Sequence, residues 1–161
     1  STLMRSSAAS DVYKRQKVLH DVYLTACKAY NGKRRYSGEE YVTHPINVAI
    51  LLAELGAERN TVLAGLFCDV KEKGNDTNLA NELPNGVLKI VRQIEHKNTE
   101  EAILIKLAER LHNMRTIDYI DESKKAQKAR ETIEIYLPLA RRVNNQKLTD
   151  ELNDLARKWD I

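Results

Sequence analysis

Ile105-Lys-Leu-Ala-Glu-Arg-Leu-His-Asn-Met-Arg-Thr116 decides how the rest of the chain is read. Its spacing predicts a helix with two faces. Ile103, Leu107, Leu111 and Met114 make an apolar stripe, the pattern of a helix packed on a core. Glu109, Asn113 and Thr116 recur at i, i+4 and i+7 and share a different face. A carboxylate, an amide and a hydroxyl on a helix otherwise rich in core residues need partners, because a buried polar group without one is costly. A binding site would supply them.

The flanking segments carry the same helical period. Val18, Val22, Ala26 and Ala29 predict a helix over 17–30, ended by Asn31-Gly32. A basic loop, Lys33-Arg34-Arg35, then leads into a Ser37-Gly38 turn. Thr43 is the expected cap of the next helix, with Pro45 in its first turn and Gly56 closing it. Asn60 is the expected cap of a buried helix running through 62–67 to about residue 72. A loop over 73–76 precedes short helices over 77–83 and 84–95, and Asn98-Thr99 opens the long helix. One more is expected over 122–142, and a last one capped by Thr149 ends near Trp159. No window alternates as a strand does, so the expected fold is all-α.

With 161 residues the chain is long enough for one domain with a real core. Residues 1–16 lack a hydrophobic period and look like translated adapter sequence. They are set aside as a non-native or disordered leader, although Ser10 or Asp11 would serve as a helix start. The functional domain is then 17–161. A net charge of +3 suits an anionic small molecule and is too small to argue for nucleic acid. Two cysteines, Cys27 and Cys68, make no disulfide framework, which points to a reducing, cytoplasmic setting. The longest apolar runs, such as 48–53, are far too short to span a membrane, and no secretory signal is present.

Four segments then fall in order: Arg35-Tyr-Ser-Gly-Glu-Glu-Tyr-Val-Thr-His-Pro-Ile-Asn-Val-Ala49, Ala64-Gly-Leu-Phe-Cys-Asp-Val-Lys-Glu72, Ile105 to Thr116, and Glu131-Thr-Ile-Glu-Ile-Tyr-Leu-Pro-Leu-Ala-Arg141. Together they resemble the hydrolase domain of the RelA/SpoT family, the bacterial enzymes that make and destroy the alarmone (p)ppGpp. The resemblance implies an HD-type helical bundle that removes the 3′-diphosphate from a guanosine nucleotide with one divalent ion, usually manganese. It also implies a metal held by a His before Pro, an adjacent His-Asp pair and an Asp on the long helix, with a Glu-Asp pair one turn on assisting the attacking water. The general logic is that a bound cation lowers the pKa of water and a carboxylate takes the proton.

Position by position, His44 matches the first ligand. The His-Asp pair reads Cys68-Asp69 and the helix aspartate reads Glu109, so the implied ligand set is His44, Cys68, Asp69 and Glu109. Of the Glu-Asp pair, Glu72 stands as the base-side carboxylate and Lys73 replaces the aspartate. Arg35 matches a guanine-contacting arginine, and Asn113 and Thr116 match residues lining the nucleoside pocket. Thiolate suits zinc better than manganese. Glutamate for aspartate lengthens a ligand, and Lys73 reverses a charge. Only 36 residues, Lys73 to Ala108, separate Glu72 from Glu109, fewer than in the family's long members. The C-terminal segment resembles their link to a synthetase domain, which makes such a domain an implied partner.

Blander readings stand beside these. His44 would serve as a helix-start residue, Cys68 as a small buried apolar group, and Asp69 with Glu72 as a polar edge paired to Lys71 or Lys73. Glu109 would pair with Arg35 or another cation as readily as with metal, and His112 reads as structural. Three functions follow: a pseudo-hydrolase that binds guanosine polyphosphate without turning it over, an active hydrolase with altered ligands, and an empty helical scaffold. The charge reversal at Lys73 favours the first, with cations at Lys71 and Lys73 facing phosphate.

Overall fold

The computed structural model describes residues 2–75 and 78–159, with side chains from residue 7 onward. Ten α-helices account for most of the described chain: α1 Thr2–Ala29, α2 Thr43–Glu54, α3 Arg59–Gly65, α4 Val70–Lys73, α5 Leu79–Glu82, α6 Asn85–Gln93, α7 Glu100–Arg115, α8 Glu122–Glu131, α9 Leu137–Arg142 and α10 Gln146–Arg157. Among the described residues there is no strand, only an isolated bridge between Arg34 and Glu40. The all-α expectation therefore holds.

α7 is the axis of the bundle. Its apolar stripe is buried as predicted: Ile103, Leu107 and Leu111 lie in the main core with residues from α2, α3, α6, α9 and α10, such as Val48, Leu63, Val87, Leu137 and Leu152. Met114 belongs instead to a smaller cluster with Ile117, Ala129 and Ala156. Thr99 caps α7 by accepting from the Ala102 N–H, which satisfies one of the free donors of the first turn. α2 and α3 pack so closely that a Cβ on Gly65 would stand 2.5 Å from Leu52 Cδ1. Gly56, at φ +79°, turns the chain between them.

α1 reaches back through 2–16, the stretch set aside from functional reasoning, and residues 7–16 of it are all exposed. Its buried face begins only at Val22. Three caps differ from expectation. Thr43 is the first residue of α2 and donates its hydroxyl to the Glu40 carbonyl. Asn60 lies inside α3, whose N-cap is Glu58. Asn145, not Thr149, caps α10 by accepting from the Leu148 N–H, and Thr149 donates back to the Asn145 carbonyl.

Two helices expected to run straight do not. The apolar run 62–67 reads as one helix with 68–72, but hydrogen bonds from Leu66, Phe67 and Cys68 reach only three residues back. Asp69, at φ −116° and ψ 12°, leaves helical geometry altogether. In the segment expected as one helix over 122–142, a π turn over Thr132–Tyr136 separates α8 from α9, with the Leu137 N–H reaching the Thr132 carbonyl. Pro138 follows immediately and cannot donate, so the widened turn absorbs the missing bond.

Candidate functional site

The break at 66–69 positions the chemistry. A continuous helix there would carry Asp69 round with the turn. The bend instead holds it against the first turn of α2, where Pro45 fixes the backbone after His44. His44, Cys68 and Asp69 each offer a donor atom, and these atoms all lie within 4.8 Å of one another. His44 is 1% exposed and Cys68 2%. Three of the four implied ligands are thus brought together. Burial raises the Cys68 thiol well above its ordinary range, with the Glu109 and Asp69 carboxyls adding to the effect.

Proton placement follows from a residue that can only donate. Arg35 points Nη1 at His112 Nδ1, 3.2 Å away, so that nitrogen accepts. His44 Nδ1 lies 2.6 Å from the same atom and must supply the proton between them. The rings stack with centroids 4.8 Å apart. Burial lowers the pKa of both: His112 falls to about 4, with His44 and Arg35 pushing the same way, and His44 falls despite the opposing pull of Asp69. Neutral His44, protonated at Nδ1, turns a bare Nε2 lone pair towards Asp69 Oδ2 at 3.2 Å. That Nε2 is buried and has no hydrogen-bond partner. Asp69 Oδ2 meanwhile accepts from the Tyr41 hydroxyl at 2.6 Å. Electron pairs therefore converge on one spot with no hydrogen between His44 and Asp69, an arrangement a cation would complete. His44 thus stands at the start of α2 and also offers a donor to this cluster, while His112 bonds to the side chains of His44 and Arg35.

Glu109 stands apart from that convergent set. Its expected partners were a metal, Arg35 or another cation. The observed one is the cation Lys106, whose Nζ lies 3.4 Å from Glu109 Oε2 and 3.0 Å from Glu95 Oε1. Glu109 Oε2 is buried without a hydrogen-bond partner, and the charge of the nearby Asp69 acts on the same carboxyl. Burial, then the Asp69 charge, push Glu109 up to about 8 against the pull of Lys106. Asp69 is held well below its usual range by its contacts with His44, Glu109 and Tyr41, which outweigh its own burial. A proton therefore sits on Glu109.

Tyr41, Asp69 and Glu109 line an open cleft of about 710 Å³. Glu109, Asn113 and Thr116 all line it, as the spacing along α7 required. Arg35 Nη2 donates to Asn113 Oδ1 at 3.4 Å and to Thr116 Oγ1 at 3.2 Å, so the three nucleoside-pocket positions form one bonded group. Glu72 and Lys73 line the cleft as well. Lys71 does not; it faces a smaller cavity with Phe67 and Glu95, which corrects the expectation that it would face phosphate. The missing charge comes from residues the motifs never flagged, Lys124 and Lys128 of α8, with Lys33 and Arg34 beside Arg35. Six cationic side chains thus surround three carboxylic acids. A cleft so charged suits a multiply phosphorylated ligand.

Comparison with known proteins places this geometry. The chain matches the model of the HD domain family over residues 23–99 and 99–144. It is 36% identical to a GTP pyrophosphokinase of Streptomyces antibioticus over 96% of its own length and 22% of that protein. It is also 36% identical to the bifunctional (p)ppGpp synthase/hydrolase SpoT of Escherichia coli K12, over 87% of this chain and 24% of the relative. The chain therefore spans about a fifth to a quarter of the relatives it matches. Among solved structures, a metazoan ortholog of SpoT described as hydrolysing ppGpp superposes with a TM-score of 0.71 at 21% identity, covering 87% of this chain and 94% of the other. That likeness shows the shared fold.

Proposed function

The chain belongs to the HD domain family, and from that premise we propose that its cleft binds guanosine 3′,5′-bis(diphosphate) while the hydrolytic centre turns it over poorly. One observation carries the reading. The Arg35–Asn113–Thr116 group is assembled and half-buried beside a ring of cations, whereas Glu109 stands outside the cluster of donor atoms, beside Lys106. The SpoT relatives are named for (p)ppGpp, which supplies the nucleotide. Arg35 and the α7 amide and hydroxyl would take the guanosine. Lys73, Lys124 and Lys128 would take the phosphates, where a fixed positive charge is worth more than in open water.

A divalent ion, when bound, would supply an acidified water. His44, Cys68 and Asp69 would hold it; Glu72 would face the water from the cleft. Two features work against turnover. Lys73 sets a positive charge beside Glu72, and the Glu109 carboxyl stands outside the cluster of donor atoms with Lys106 Nζ 3.4 Å from its Oε2. A second reading, an active hydrolase with altered ligands, is favoured by the convergence of the three donor atoms. A synthetase domain alongside is a partner of the same proposal, since relatives several times longer carry synthase names.

The test is calorimetric titration of the protein with ppGpp in chelator. Micromolar binding, weakened by Lys128→Ala with the fold intact, is the expected result. No heat at high micromolar nucleotide would leave only a scaffold.

A further inference from the structure

Manganese, the ion that the resemblance implies, does not fit the donors this chain presents. It prefers oxygen and imidazole in near-octahedral arrays. Here one of the three converging donors is the Cys68 sulfur, and the next carboxyl, Glu109, lies outside that cluster with Lys106 Nζ 3.4 Å from its Oε2. We propose that the His44–Cys68–Asp69 cluster is a site for a thiophilic divalent cation of the zinc type and discriminates against manganese.

Four features of the structure support it. Sulfur, imidazole and carboxylate are the donors that zinc takes, and three protein ligands with one position left open is the pattern of its catalytic sites. The donor atoms already lie within 4.8 Å, so a small contraction brings them onto a tetrahedral ion. The proton on His44 Nδ1 goes to His112 Nδ1 at 2.6 Å, which leaves Nε2 bare and fixes the ring, as second partners of ligating histidines do. Tyr41 holds Asp69 Oδ2 in the same manner. The cleft above Asp69 supplies the open position. None of this rests on which nucleotide the cleft takes, so nucleotide binding and metal choice stand or fall separately.

Cobalt(II) is the probe. Chelator-treated protein titrated with cobalt is expected to show tetrahedral visible bands and a thiolate-to-cobalt charge-transfer band at one equivalent. Equimolar zinc should abolish both, and a hundredfold excess of manganese should leave them in place. Cys68→Ser should remove the charge-transfer band, while Cys27→Ser, at the other cysteine, should keep it. Cys68→His should lose the band and gain manganese binding at least tenfold, read by the loss of the free-ion resonance signal. Circular dichroism reports whether each variant folds, and the cobalt–manganese competition on the unaltered protein stands even where one does not. A charge-transfer band that survives Cys68→Ser, absence of the band in the unaltered protein, or manganese displacing cobalt at parity would overturn the proposal.

Discussion

Glu109→Gln isolates the proton held at the centre of the site. Glutamine keeps the size and shape of the side chain between Asp69 and Lys106, so the exchange removes a titration and little else. In the fold Glu109 is pushed from an ordinary 4.5 up to about 8 by burial and by Asp69. A carboxyl raised in this way contributes nothing unfavourable below its unfolded pKa. Stability is then lost as pH climbs from there, and the loss is complete above the folded value. A tenfold change in proton affinity between the folded and unfolded chain is worth ~1.36 kcal/mol, so the window from about pH 5 to about pH 7.5 holds up to ~3 kcal/mol. Coupling to Asp69 and Lys106 reduces this to about 2 kcal/mol. His112 works in the opposite sense: lowered from 6.5 to about 4, it costs stability as pH falls through that interval. The difference between the two proteins cancels it. Urea unfolding at both pH values is the assay. Near pH 5 the variant should match the unaltered protein, and near pH 7.5 it should be more stable by about 2 kcal/mol. Two curves separated by a constant offset would refute the proton on Glu109.

Other outcomes follow from the same contacts. Arg35→Met removes the donor that binds His112, Asn113 and Thr116. It should weaken ppGpp binding at least tenfold, about 1.4 kcal/mol, and an unchanged dissociation constant would place the nucleoside elsewhere. Leu107→Ala, at the centre of α7, should cost about 2–5 kcal/mol in chemical denaturation; a loss under ~1 kcal/mol would deny that helix its axial role. Asn145→Ala removes the cap of α10 and should cost about 1 kcal/mol, whereas Thr149→Ala should leave that cap in place. Equal losses from the two would contradict the observed capping.

Legibility in the sequence tracks how local each signal is. α7 can be read because its period, its Thr99 cap and its polar face all lie within one helix. The gathering of Arg35 with Asn113 and Thr116 comes only through the family resemblance, since 78 and 81 residues separate the partners. The bend at 66–69 is invisible, because Leu66-Phe-Cys-Asp69 continues an apolar run and nothing in it breaks a helix. Yet that bend presents Asp69. His112 does carry a signal: it stands three residues after Glu109 and four before Thr116, near the functional face. Lys124 and Lys128 have none, because α8 meets the cleft only through tertiary packing. Lys106 pairs with Glu109 from within α7 at i, i+3, a local spacing that falls within the expectation of Arg35 or another cation. The caps at Glu58 and Asn145 shift by a turn or less, the usual uncertainty of helix ends.

The central claim is a nucleotide cleft that outlasts the hydrolytic centre beside it. Pyrophosphate release from ppGpp, measured with manganese for the unaltered protein and for the triple variant Cys68→His, Lys73→Asp, Glu109→Asp, tests it most directly. Negligible release by the first and at least a hundredfold more by the second is the expected result. Brisk manganese-dependent release by the unaltered protein would contradict it.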